Sequence, residues 1–302
     1  MTWRAPLVSF FGVLVLAFGA TSSAKAWCQS CTVGPAINPA SPCVQSCECD
    51  LDNGQQLIAW NQRCISYSLH QTGSADIPRA DYERITAESF AEWTDASCGA
   101  SSTGIEIEQT DEDAQGSTAE FAPEGGNVNL VAFVRDWDER EYLPSAYAVT
   151  TTWFGVRSGE IFDADILLNE EHWSWAECPS DEGCTDGRDV DLKNTLVHEI
   201  GHFLGLAHSG EGTEESTMWS CAPPGQVIKR DLDADDIEGF CSIYPAGSLE
   251  AACDFDPVGG FNPEPVALRP PPGCGCSVSR ANPSAYALVF FAALFWRRRR
   301  SR

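Results

Sequence analysis

Val197 to Ser209 reads VHEIGHFLGLAHS and holds three of the chain's five histidines, His198, His202 and His208, with Glu199 directly after the first. On a helix, His198 and His202 stand one turn apart on the same face, so their imidazoles can converge on one cation. Leu192, Leu196, Ile200 and Phe203 form a separate stripe that buries such a helix. Gly205 can take the positive φ that ends a helix, and the chain then turns back to bring His208 round as a third ligand. Three neutral imidazoles leave one of zinc's four tetrahedral positions open. Zinc lowers the pKa of a water there toward about 7. Glu199 is not needed as a ligand and is free to act as general base.

The elements that must position this run are legible from period and punctuation. Cys64 to Leu69 alternates and reads as a strand. Pro78 opens a helix whose Tyr82, Ile85, Thr86, Phe90 and Trp93 share one face. Gly104 to Glu108, Asn127 to Val134, Ala146 to Phe154 and Glu160 to Leu168 read as strands. Asp189 to Leu204 reads as the helix carrying the histidines, and Leu232 to Tyr244 as a third helix. Ile237, Phe240, Cys241 and Tyr244 repeat on one face of that third helix, and acidic residues load its first turn. Beyond Pro245 the chain becomes rich in Pro, Gly and Ala, as a linker does.

Composition narrows the partners. The 302 residues carry a net charge of −25. Arg4, Lys25 and the arginines from Arg297 onward sit at the ends, so the body is more acidic than the total. Such a body repels nucleic acid and anionic lipid. Residues 1–26 read as a signal peptide: a charged start, an apolar run from Leu7 to Ala20, and Ala24-Lys25-Ala26 before Trp27. Export accounts for the 14 cysteines, which are expected to pair, although spacing does not say how. Cys178 and Cys184 bracket a short acidic loop and suit a local bridge. The domain plan is therefore a signal peptide at 1–26, a Cys-rich segment at 27–56, a catalytic domain at 57–245, a linker at 246–273 and a tail at 274–302. In that tail the apolar run from Ala285 to Trp296 is shorter than the roughly 20 residues a membrane span needs. Two readings stand: a short membrane anchor, or a sorting signal. Gly273-Cys274-Gly275-Cys276, the apolar run and the terminal arginines resemble the MYXO-CTERM tail of myxobacterial exported proteins, which implies cutting by a sorting protease and surface display or release.

The pattern H-E-x-x-H-x-x-G-x-x-H, carried here by His198, Glu199, His202, Gly205 and His208, resembles that of the metzincin zinc peptidases and, among them, the matrixins. Met218, in Ser216-Thr217-Met218-Trp219-Ser220, stands where that family has a methionine turn beneath the metal. Ser209, Asp235-Asp236-Ile237-Glu238-Gly239 and the stretch from Gly159 to Ile166 are also matrixin-like. The resemblance covers roughly Leu57 to Pro245. It implies an α+β zincin fold: a mixed, mostly parallel five-stranded sheet, an active-site helix and a small C-terminal subdomain. It implies a zinc-dependent endopeptidase acting on protein or peptide substrates, a monomer, with substrate extended along the strand from Ala146 to Phe154. Ser220 replaces the tyrosine of the astacin and serralysin branches. Animal matrixins hold a second zinc with histidines in the strand region, where this chain offers only His172, read as an exposed residue, so no second zinc is expected. Asp163, Asp165, Glu170 and Glu171 either supply oxygen ligands to calcium or form a solvated acidic edge. The competing function is a non-catalytic, zinc-stabilised surface or adhesion module, and the presence of Glu199 favours the enzyme.

Overall fold

The computed structural model of the chain describes residues 27–32, 49–110, 119, 121–122, 127–179, 182–210, 213–249, 252–257 and 280–281. The expected signal peptide, most of the linker and nearly all of the tail lie outside the described residues. In chain order the elements are β1 (Cys28–Gln29), β2 (Cys64–Leu69), α1 (Arg79–Thr94), β3 (Glu106–Gln109), β4 (Leu130–Val134), β5 (Ala148–Phe154) and β6 (Ile161–Asn169). There follow β7 (Ser174–Ala176), β8 (Asp189–Asp191), α2 (Leu192–Phe203), β9 (Leu206–Ala207), α3 (Ala234–Ile243) and β10 (Arg280–Ala281).

The main sheet runs β3-β2-β4-β6-β5. Its first four strands are parallel to their neighbours, and β5 returns antiparallel along β6. This is the expected mixed, mostly parallel five-stranded α+β arrangement. The outer edge of β5 is not bare along its whole length, because the two-residue β10 pairs parallel with Trp153 and Phe154.

Parallel strands need crossovers, and α1 supplies one of them. The side chains expected on its inner face, Tyr82, Ile85, Thr86, Phe90 and Trp93, are all buried. They meet the inner face of the sheet, including Tyr67, Phe133 and Ile166, and the stripe of Leu196, Ile200 and Phe203 on α2 in one core. Trp93 fixes the two helices to each other by donating its indole N–H to the carbonyl of Val197 at 2.9 Å. A second cluster, with Leu130, Ala132, Val149 and Leu167 packed around Trp137, covers the opposite face of the sheet.

Where boundaries differ from the sequence reading, a local side chain is the cause. α2 starts at Leu192 because residues 189–191 pair with β7 as a strand, and Asp191 then caps the helix by accepting from the Asn194 N–H. β4 starts at Leu130 because Asn127 and Asn129 spend their amides on backbone groups of Ala122, Ser66 and Ala164. β3 starts after Gly104, whose φ of +84° does not belong in a strand. The local Cys178–Cys184 bridge is present. Cys31–Cys49, Cys64–Cys253 and Cys98–Cys241 are also bonded. The Cys64–Cys253 bond ties the segment after α3 to β2, where Ser66 also donates to the carbonyl of Phe255. Among the described residues no helix is long and apolar enough to cross a membrane.

Gly205 does what its position requires. Its φ is +89°, its N–H closes α2 onto the carbonyl of His202, and a Cβ there would lie 2.5 Å from the carbonyl oxygen of Ile58. Gly54 has a similar φ of +86° with nothing within 4 Å of a Cβ. Gly54→Ala should therefore cost only the left-handed strain, about 1–2 kcal/mol. Gly205→Ala should cost clearly more, because the Ile58 backbone must also move. Urea unfolding of the two variants checks this, and equal costs would contradict it.

Candidate active site

Helix α2 and the turn after it bring together all four residues singled out from the sequence. Nε2 of His208 lies 3.3 Å from Nε2 of His198 and 3.1 Å from Nε2 of His202. Ligands about 2.0–2.1 Å from a tetrahedral centre stand about 3.3 Å apart, so this spacing fits zinc. The three side chains also form the one all-histidine metal-ligand group among the described residues.

Protonation follows from the partners. Nδ1 of His198 is 2.6 Å from the carbonyl of Thr217, and Nδ1 of His202 is 2.9 Å from the carbonyl of Leu206. A carbonyl only accepts, so each Nδ1 carries the proton and each Nε2 presents a lone pair to the centre. Burial pushes the His198 and His208 imidazoles well below their usual range, reinforced by the charge of Lys229 and by neighbouring imidazoles. His198 and His208 are thus favoured in the neutral form that ligates metal.

Glu199 is buried beside this centre, with its Oε2 accepting from the Thr150 hydroxyl at 2.6 Å. That contact joins α2 to β5. Burial raises the carboxyl of Glu199 above its ordinary range, while His202, Thr150 and Lys229 hold it down. Lys229 lies under the same site. It is buried, donates from Nζ to the carbonyl of Trp219, and has no carboxylate at salt-bridge distance among the described residues. Burial pushes its ammonium down to about 8, against the pull of Glu199 and Asp236.

The floor is Met218. It is buried, and a Cβ on Gly201 would come within 2.1 Å of its sulfur, so the glycine between the first two histidines is the residue that lets the methionine approach. Asp236, on α3, holds the turn. Its two oxygens accept from the Ser216 hydroxyl and from the N–H groups of Thr217, Met218 and Asp233, at 2.7–3.0 Å. Asp236 therefore fixes the same residue, Thr217, whose carbonyl orients His198. The neighbouring Asp235 accepts from the backbone of Trp27, and burial pushes its carboxyl up to about 6.

Thr150 and Lys229 carried no signal in the sequence, and Thr217 stood in the methionine-turn motif without announcing its contact with His198. Asp236 stood in a matrixin-like motif, but nothing in it announced a clamp on the methionine turn. The remaining two histidines lie elsewhere. His70 bonds to Thr72, and His172 is half-buried rather than exposed, its Nε2 2.9 Å from Asp138. His172, Asp138 and Glu171 make a small surface group of their own.

Comparison with known proteins places these features in a family. The matrixin model matches residues 59–245. Karilysin of Tannerella forsythia is 26% identical over 189 residues, covering 61% of this chain and 33% of that protein. Matrix metalloproteinase-C of Caenorhabditis elegans is 24% identical over 214 residues, covering 68% and 32%. Metalloendoproteinase 2-MMP of Arabidopsis thaliana is 49% identical over 57 residues, covering 19% and 14%. The chain thus spans no more than about a third of the length of these relatives.

Two substitutions test the geometry. His208→Ala should weaken zinc binding about as much as His202→Ala. Asp236→Asn places an amide against backbone donors and loosens the Thr217 carbonyl, so it should weaken zinc binding by roughly 10–100-fold without removing a ligand. Competition against a chromogenic chelator measures both. Unchanged affinity in His208→Ala would remove His208 from the site, and unchanged affinity in Asp236→Asn would remove Asp236 from its support.

Proposed function

Since this chain belongs to the matrixin family, we propose that it is a zinc-dependent endopeptidase, with His198, His202 and His208 as metal ligands and Glu199 as general base. The observation that carries this reading is the triangle of Nε2 atoms with a buried carboxylate, not itself a ligand, held beside it by Thr150. Bound zinc supplies a Lewis acid that polarises the scissile carbonyl and lowers the pKa of a water.

The rest is the work of the chain's own groups. Glu199 takes a proton from the attacking water as the new C–O bond forms. It returns that proton to the leaving amine as the C–N bond breaks. Thr150 keeps the Oε2 end of the carboxylate oriented through both transfers. An extended peptide lies along the outer edge of β5 and pairs through its main chain. β5 suits this role because it touches Glu199 directly and, among the described residues, its outer edge is paired by β10 at Trp153 and Phe154 alone.

Substrate is therefore protein or peptide. Export is supported by the leading segment and by the bonded cysteines. The tail is proposed as a sorting signal that is removed near Cys274. Intact-mass analysis of the mature protein from its native host should then find no Arg297 to Arg302, and their presence would leave a short membrane anchor instead.

Glu199→Gln should lower turnover of a peptide library by roughly 10²–10⁴-fold while zinc content stays the same. In the wild type the acid limb of the pH profile should fall above the ordinary carboxylate range, because burial raises Glu199. Activity is then lost as pH drops through that raised value. Wild-type protein that binds zinc yet cuts no peptide would leave the non-catalytic surface module as the reading.

A further inference from the structure

One cation beside the metal centre has no part in the chemistry above. Lys229 is 3% exposed. Its ammonium offers three donors, and one of them meets the carbonyl of Trp219. Among the described residues nothing else accepts from it, and no carboxylate lies within salt-bridge distance. The next residue shows the contrast. Arg230 meets the buried carboxylate of Asp191, donating from Nε at 2.8 Å and again from Nη2. Two consecutive basic side chains therefore enter the interior, one paired with an acid and one not.

Buried charges are paired as a rule, because an uncompensated one is costly. The Lys229 ammonium is nevertheless still charged at neutral pH, since burial lowers it only to about 8. It keeps two donors and a full charge for an anion that arrives with a ligand.

Its place says which ligand. The main-chain N–H of Lys229 donates to Oδ1 of Asn194 at 2.8 Å. Asn194 stands one helical turn ahead of His198 on the same face of α2. The other end of Lys229 reaches Trp219, the residue after Met218. The side chain thus bridges the two segments that hold His198: the helix that carries it and the turn whose Thr217 carbonyl orients it. His198, His208 and Glu199 all feel its charge. In a peptide extended along β5, successive side chains turn to opposite faces of the sheet. Of the two that flank the scissile bond, one therefore points to the helix side, where α2, Glu199 and Lys229 lie.

We propose that Lys229 selects substrates with a glutamate or aspartate directly beside the scissile bond. This rests on the peptidase reading of the site. The incoming carboxylate completes the ion pair that the fold leaves open. A neutral side chain of the same shape fits equally well but leaves the ammonium unpaired, so the discrimination is by charge. The chain carries −25 overall and repels polyanions. The favoured substrate therefore has one acid at that position within a neutral or basic stretch.

The test gives the zinc-loaded mature chain two kinds of probe. The first is a set of otherwise neutral peptides with Glu, Gln or Leu at each of the two positions flanking the scissile bond, compared by kcat/KM. At one of those positions the wild type should favour Glu over Gln by roughly 10–100-fold. Lys229→Met should bring that ratio close to one. Lys229→Arg should keep it, and so should Lys193→Met, which removes a lysine of α2 that pairs with Glu92. The ratio is internal to each variant, so a general loss of activity leaves it readable. The second probe needs no turnover. Peptide hydroxamates bind zinc directly, and two series carry Glu or Gln on one side or the other of the hydroxamate. Calorimetry on the wild type should find the Glu form of one series bound roughly 10–100-fold more tightly than its Gln form. Wild type that cuts Glu and Gln peptides equally, or that binds the paired hydroxamates equally, overturns the role of Lys229 and leaves the peptidase reading standing. A preference that survives Lys229→Met overturns it too. Selective binding of the Glu hydroxamate without cleavage of any peptide would instead overturn the peptidase reading and keep Lys229 as the anion-recognising residue of a binding site.

Discussion

Three imidazole Nε2 atoms gathered at one point, with that of His208 within 3.3 Å of the other two, are the constraint on which this molecule is organised. Nε2 of His208 sits 3.3 and 3.1 Å from its two counterparts. The carbonyls of Thr217 and Leu206 fix the protons of His198 and His202 on the far side of each ring. Ring nitrogens gathered this closely suit a cation between them. The surrounding structure supplies the force that keeps them there: the α2 core stripe behind, the Gly205 reversal that returns His208, and Met218 below. Each of these parts is anchored in turn. Asp236 binds the turn at Thr217 and Met218, and the indole of Trp93 locks α1 to α2.

The same logic links the site to the sheet. β5 runs antiparallel to β6, and among the described residues β10 pairs with its outer edge at Trp153 and Phe154. Its Thr150 reaches Glu199, so the base is positioned from the strand on which an extended substrate would pair. The proposed base and a substrate on this strand would thereby share one reference. The charge of Lys229 beneath adds to burial in lowering His198 and His208, and it opposes the rise that burial imposes on Glu199.

Much of this was legible in the sequence because the histidine run is local. The 3.6-residue period sets His198 and His202 on one face, and Gly205 predicts the reversal. The inner faces of α1 and α2 were equally plain, since Tyr82, Phe90, Trp93, Leu196 and Phe203 follow the same period and are all buried. What escaped were contacts made across long separations. Thr150 and Glu199 are 49 residues apart, and Lys229 reaches the site only through the loop after Met218. The short strands β7, β8 and β9 also escaped, because two or three residues carry no period. The acidic residues after Gly159 were ambiguous for a physical reason. Sequence alternation gives a carboxylate's face but not which partners await it there: Glu170 meets Arg135, and both oxygens of Asp163 lack a hydrogen-bond donor among the described residues.

The measurement that bears most directly on the account is zinc-edge X-ray absorption of the mature chain loaded with one equivalent of zinc. The geometry requires three imidazole nitrogens at about 2.0–2.1 Å and one oxygen completing the shell. Sulfur scattering near about 2.3 Å, or fewer than three imidazoles, would contradict the assignment of His198, His202 and His208.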